Sequence, residues 1–213
     1  MFNKANTIVG MIRRTFRFLD KKIFLLLYKA LVRPHLEFAN VIWSPSYKKD
    51  IIALENVQRR ATKLVPHLKE FSYPERLRML NLPTLAYRRI RGDMIEAFKI
   101  THDIYDSSVS GGILKLYKDD DTLRTNRGHN LKLYKQKANK RSRQNFFSLR
   151  IVDMWNNLPQ TVIDSSSIKC FESRLDKFWN CLQMKFDFQK VWKKITHGWK
   201  AGLEAEDELD LDI

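Results

Sequence analysis

The stretch Asp20-Lys21-Lys22-Ile23-Phe24-Leu25-Leu26-Leu27-Tyr28-Lys29-Ala30-Leu31-Val32-Arg33-Pro34 decides how this chain folds. Asp20 suits a helix N-cap, because its carboxylate can accept the free amide hydrogens of the first turn. The apolar residues Ile23, Phe24, Leu25, Leu26, Leu27, Tyr28, Leu31 and Val32 then surround the axis almost completely, and a helix apolar nearly all round belongs at the centre of a core. Pro34 has no amide hydrogen to give and is expected to end or kink this helix. The run 23–27 is far shorter than the roughly 20 residues a membrane span needs.

Upstream, Ala5, Ile8, Val9, Ile12 and Phe16 fall at helical spacing, with Arg13, Arg14 and Arg17 on another side. This predicts an amphipathic helix over 4–18 with a basic face. Downstream, Trp43-Ser44-Pro45-Ser46 reads as a turn. A helix over 47–65 follows, with Ile51, Leu54, Val57, Ala61, Leu64 and Val65 as its stripe and Arg60 and Lys63 elsewhere. Glu55 and Arg59 read as a plain i, i+4 surface pair. Ser72-Tyr73-Pro74-Glu75 fits a capping box, and Thr84 can cap a long helix to about residue 106 with Tyr87, Ile90, Met94, Phe98, Thr101 and Tyr105 facing inwards. Breakers crowd 106–112. Residues 122–150 then hold nine bases and no acid, and the Leu131, Leu133 alternation suggests a short β-ribbon or extended arm. Helical spacing returns over 142–155, with Phe146, Phe147, Ile151, Val152 and Trp155. It recurs over 168–182, with Phe171, Leu175, Phe178, Trp179 and Leu182, and again over 186–199.

With 213 residues, 44% of them hydrophobic, and only seven glycines, the chain can build a helical core. The formal charge of +15 is uneven: 203–213 carries six acids and no base, which leaves a surplus of 21 in the rest. Such a surplus favours a polyanionic partner. Cys170 and Cys181 lie on one expected helix, about 16 Å apart at the usual rise, too far to pair. Two free thiols and no zinc spacing fit an intracellular reducing compartment, and residues 1–6 are too polar for a secretory signal.

The most tempting motif is Tyr117-Lys118-Asp119-Asp120, which matches the metal-binding Y-x-D-D of many reverse transcriptases. Two-metal phosphoryl transfer needs carboxylates on a rigid hairpin, whereas this tetrapeptide follows Gly111 and Gly112 with no apolar strand after it. It reads as a decoy. His129, in a Gly-His-Asn turn among bases, could touch phosphate but reads first as a solvated turn histidine, and His35, His67, His102 and His197 have no ligand-spaced partner. No phosphate loop or nucleophile elbow is present, so neither a catalytic site nor a cofactor is expected.

The basic clusters remain: Arg13, Arg14 and Arg17; Arg60 and Lys63; Arg88, Arg89 and Arg91; and, in the arm, Arg124, Arg127, Lys132, Lys135, Lys140, Arg141 and Arg143. A basic run is usually a solvated face, but here the clusters recur on separate elements, and arginine's planar fork suits phosphate. Tyr134 stands among the bases and could stack on a base or pack on the next helix. Membrane binding is disfavoured, because the apolar helix faces are needed for the core.

Several short motifs carry a family likeness. They are Lys4-Ala5-Asn6 leading to Arg13-Arg14-Thr15-Phe16, then Leu27-Tyr28-Lys29-Ala30-Leu31-Val32-Arg33-Pro34-His35-Leu36-Glu37, and Trp43-Ser44-Pro45. They continue with Val57-Gln58-Arg59-Arg60-Ala61-Thr62-Lys63, Leu82-Pro83-Thr84-Leu85-x-Tyr87-Arg88-Arg89, Arg91-Gly92-Asp93-Met94, Arg127-Gly128-His129 and Trp155-Asn156-x-Leu158-Pro159. Over about 3–179 the chain resembles the part of non-LTR, LINE-type retrotransposon reverse transcriptases that follows the palm. The resemblance implies a thumb plus a helical extension, without the palm's catalytic aspartates, whose first helices track the template and primer backbone. By it, Arg13, Arg14 and Arg17 have the best claim to phosphate. The zinc knuckle that ends several family members has no counterpart here, and nothing after Trp179 resembles the family.

The expected architecture is all-α, two helical lobes with at most a small β-ribbon. A thumb-like domain spans 1–106, a basic arm 107–141, a helical domain 142–200 and an acidic disordered tail 201–213. The expected function is non-catalytic binding of RNA and/or DNA, with a palm in cis or trans as a further partner. The alternative is a helical scaffold for an acidic protein. The sequence leaves the oligomeric state open.

Overall fold

A computed structural model describes residues 2–45, 47–117, 128–180, 184–187 and 191. The fold is all-α. Helix α1 (Phe2–Thr15) buries Ala5, Val9 and Ile12, one row at helical spacing, and leaves its arginines outside. Asp20 caps α2 (Lys21–Leu27), its Oδ1 accepting from the Ile23 amide at 2.6 Å.

Pro34 does not end the helix. The chain passes from α2 through a π-helical turn, Tyr28–Val32, into α3 (Arg33–Glu37). In that turn the amide of Arg33 donates to the carbonyl of Tyr28, five residues back. The wider turn is how a helix accommodates an inserted irregularity, and the ring of Pro34 then sits at the start of a new α-helical segment, where its missing N–H costs little. Nor is α2 surrounded by core. Phe24, Tyr28, Val32 and Leu36, each four residues from the last, are buried, while Ile23, Leu31 and above all Leu26, 70% exposed, face outwards. Hydrophobicity alone does not orient a helix: the row that meets α1 and α4 is buried, Leu25 and Leu27 beside it are partly covered, and the opposite side is left open.

Helix α4 (Lys48–Thr62) packs against α1, and α5 (Tyr73–Leu80) and α6 (Leu85–Thr101) pack against α4. The expected caps form: Ser72 and Glu75 bond reciprocally across the first turn of α5, and Thr84 Oγ1 accepts from the Tyr87 amide at 3.2 Å. Asn81, in the left-handed region at φ 49°, terminates α5. After the short α7 (Ser107–Ser110), the second half contains α8 (Arg141–Gln144), α9 (Phe147–Arg150), α10 (Val152–Asn156), α11 (Gln160–Ile163) and α12 (Ile168–Asn180). The single helix expected over 142–155 is thus three short ones. Phe146 is mostly exposed in an extended link between two of them, rather than inward.

Two hydrophobic clusters form; apart from Ile51, which joins the second, their buried residues divide at Leu85 and Ala86. The first holds residues from Ala5 to Leu85, and the second takes the inner face of α6, Tyr87 to Phe98, together with α9 to α12. Packing therefore changes hands about twenty residues before the expected boundary near 106. The reason is that Phe98 stacks on Phe171 of α12 at 4.4 Å, placing α6 at the centre of the second cluster.

The described part of the basic arm is no free linker. Leu116 and Leu133 form an antiparallel bridge, Leu133 is buried, and Asn156 clasps the Leu133 backbone through both its amide nitrogen and its oxygen at 2.8 Å. Trp155 Nε1 adds a bond to the Leu131 carbonyl at 2.7 Å. The arm's remaining expectations at 118–127, the Asp119-Asp120 pair included, lie outside the described residues, as do Cys181, most of 186–199 and the acidic tail. Among the described residues, no helix is long and apolar enough to cross a membrane.

Candidate nucleic-acid interface

The structure sorts the arginines into two populations. The inner one holds the elements together. Arg89 is only 4% exposed. Its Nη1 reaches Asn40 Oδ1 and the Trp43 carbonyl, both at 3.1 Å, its Nη2 donates to the Leu36 carbonyl, and its plane lies 5.0 Å from the Trp43 ring. Burial lowers its pKa to about 10, which still leaves it charged at neutral pH. One helical turn on, Asp93 receives Nε and Nη2 of Arg150 at 2.9 and 2.8 Å, and the same Nη2 reaches the carbonyls of Asn40 and Val41. Arg88 forms a two-pronged pair with Glu37, and Arg91 forms another with Asp176 of α12 at 2.8 and 3.0 Å.

Arg88 and Arg89 are therefore poor candidates for nucleic-acid contact. Their side chains are engaged internally, and Arg89 would leave three acceptors, the buried Leu36 carbonyl among them, without it if it moved to the surface. Sequence adjacency misled here: consecutive arginines on a helix look like a patch, yet positions 89 and 93 share the inward side with Ala86 and Ile90.

His129 is likewise not a solvated turn residue. It is 3% exposed, with Nε2 at 3.0 Å from the Trp155 carbonyl and Nδ1 without a partner. Nε2 must carry the proton, since a carbonyl only accepts. Burial lowers the pKa of the ring.

The outer population is accessible. Arg13 and Arg14 end α1 and Arg17 follows it, all three exposed. Their charges also suit the negative end of the helix dipole, which is the bland account of their placement. Lys140 and Arg143 are exposed, with the Arg143 guanidinium 5.0 Å from the Phe146 ring. Lys135 is paired with Asp153, and the half-buried Lys132 lies with its chain end over Gly128. Tyr134 packs edge-on against Tyr117 at 5.6 Å. Arg124 and Arg127 lie outside the described residues, as does the side chain of Arg141.

Arg60 and Lys63 come together with Arg59 and Asn56 around one cavity of about 350 Å³ on the outer face of α4. The i, i+4 spacing pairs Arg59 with Glu55, but Glu55 points the other way. At 2% exposed, it accepts from the Tyr73 hydroxyl at 2.6 Å and the Ala86 amide at 2.9 Å, and burial raises its pKa. The spacing Ile51, Glu55, Gln58, Thr62 is itself an inward row, all four buried, and that row is the signal by which Glu55 could have been placed.

Among the described residues, no group of three or more histidine, cysteine, aspartate or glutamate side chains is placed to hold a metal ion. No protein family, curated protein or solved structure matches the chain.

Proposed function

We propose that this chain is a non-catalytic nucleic-acid-binding segment that contacts the phosphate backbone without reading sequence, in the manner of the region downstream of a LINE-type reverse-transcriptase palm. The observation that carries the reading is the division among its arginines. Arg76, Arg88, Arg89, Arg91 and Arg150 are tied into the fold, whereas Arg13, Arg14, Arg17, Arg59, Arg60 and Arg143 present charge outwards with no carboxylate within 4 Å in any described contact. Exposed arginines held apart from acids are the means by which a protein neutralises phosphates. The motif residues Glu37, Trp43, Arg88, Arg89, Arg91, Asp93, His129, Trp155 and Asn156 all take part in internal polar or ring contacts, which is consistent with a likeness of fold rather than of active site.

An electrophoretic shift series with single-stranded, duplex and RNA–DNA hybrid probes of random sequence tests this. Shifts that weaken with salt for at least one class support it, and no shift with any class at low salt contradicts it. A second reading, a helical scaffold for an acidic protein, draws on the exposed side of α2 and the π-turn after it, where Leu26, Ile23 and Leu31 lie among Lys21, Lys22 and Lys29. A probe series without shifts favours that reading.

A further inference from the structure

We propose that the cavity bounded by Asn56, Arg59, Arg60 and Lys63 is a phosphate subsite that takes one phosphate group of the bound strand, with Arg59 as its fixed wall. This rests on the nucleic-acid reading above and gives it a specific seat. Three cations bound the cavity, and none has a carboxylate within 4 Å among the described contacts. Without an anion they repel one another at close quarters, and a phosphate removes that repulsion.

Arg59 is preorganised. Its guanidinium lies 5.0 Å from the Tyr73 ring centroid, and Nη1 donates to Asn56 Oδ1 at 3.3 Å. Tyr73 is in turn buried and held by its hydroxyl on Glu55. Arg60 is steadied by Nε on the Asn56 carbonyl at 3.3 Å. A guanidinium already in place loses little freedom on meeting an oxyanion, and its remaining N–H groups match two phosphate oxygens. The last carbonyls of α4, which would otherwise repel an anion, are occupied: Arg59 O accepts from Thr62 Oγ1, Arg60 O from the Lys63 amide and Ala61 O from the Leu64 amide. The depression is shallow and open to solvent along one side of α4, so a backbone phosphate can reach the three cations without the strand being enclosed.

One shared phosphate makes a prediction that three independent contacts do not. Replacing Arg59, Arg60 and Lys63 together by glutamine lowers the slope of log K against log salt by about 1, because one phosphate is released, rather than by about 3. An unchanged slope overturns the subsite, and a fall of about 3 overturns the idea of a single shared phosphate. Because Arg59 stacks on Tyr73, the double variant Arg60→Gln/Lys63→Gln, both exposed, is measured alongside; it gives a fall of up to about 1 if the subsite exists and none if it does not. A titration of the unaltered chain with inorganic phosphate, read on the side-chain Nε–H resonances of Arg59 and Arg60, separates this claim from the wider one. Saturable shifts absent with chloride support the cavity even if no oligonucleotide binds, and equal, non-saturating shifts with both salts overturn it even if the chain binds nucleic acid elsewhere.

Discussion

Replacing Asp93 by asparagine keeps the shape of the side chain and removes one charge from the junction where α6, α9 and the segment after α3 meet. Asp93 is 2% exposed and accepts two charged hydrogen bonds from Arg150, at 2.8 and 2.9 Å, with Arg89 one helical turn away. The variant takes the nearest counter-charge from the buried Arg89 and the partly buried Arg150. Hydrogen bonds to charged groups contribute about 1.5–3 kcal/mol each, and removing one partner of a buried pair costs about 3–5 kcal/mol. Arg150 keeps its carbonyl acceptors at Asn40, Val41 and Asn145, so the lower end applies, about 3 kcal/mol. With a urea m-value of about 2–3 kcal/mol/M, the unfolding midpoint moves down by roughly 1–1.5 M. Asp176→Asn removes the acid from the half-exposed pair with Arg91 and costs about 1 kcal/mol or less. Urea titrations followed by circular dichroism and tryptophan fluorescence compare the two. A shift for Asp93→Asn below about 0.3 M, or no larger than that of Asp176→Asn, refutes the view that this junction holds the fold together.

Replacing Arg13, Arg14 and Arg17 by alanine together should weaken binding to all sequences alike and reduce the salt slope by up to about 3, with circular dichroism showing the fold intact; an unchanged slope assigns them to a protein neighbour. His129 sets a pH dependence. Its folded pKa lies below the unfolded value of 6.5, so the unfolded chain binds more protons below that pH, and the stability from the neutral ring, full above pH 6.5, is lost as pH falls through the window beneath it. The urea midpoint should be lower at pH 5.5 than at 7.5, and His129→Gln should shrink that difference; an equal difference in the variant removes His129 as the cause. Gly10 sits inside α1, where an added Cβ would meet no atom within 4 Å, so Gly10→Ala should raise stability by about 0.5–1 kcal/mol, and a lower urea midpoint would contradict this.

The helical architecture was legible because caps and apolar spacing are local: Asp20, Ser72 with Glu75, and Thr84 each act within one turn, and the rows of α1, α4 and α12 repeat at the helical period. What depended on distant partners was not. Nothing near Pro34 announces the π-turn that absorbs it, and no local feature shows that Leu26 stays uncovered while Phe24 does not. The candidate site was half legible for the same reason. Charge counts found Arg13, Arg14, Arg17, Arg60 and Lys63 at the surface, but the acceptors that hold Arg89, at Leu36, Asn40 and Trp43, are more than forty residues away in sequence. Arg59 was lost to a plausible neighbour, because an i, i+4 acid and base pair only when both face the same solvent, and Glu55 does not.

The most direct test of the central claim is the affinity of the unaltered chain for a fluorescein-labelled random-sequence duplex, measured by anisotropy from low to physiological salt. Three accessible arginines at and just beyond the end of α1 and one seated phosphate predict log K falling linearly with log salt, with a slope of about −3 or steeper and little change when the sequence is changed. No binding at low salt, or an affinity indifferent to salt, would contradict the account.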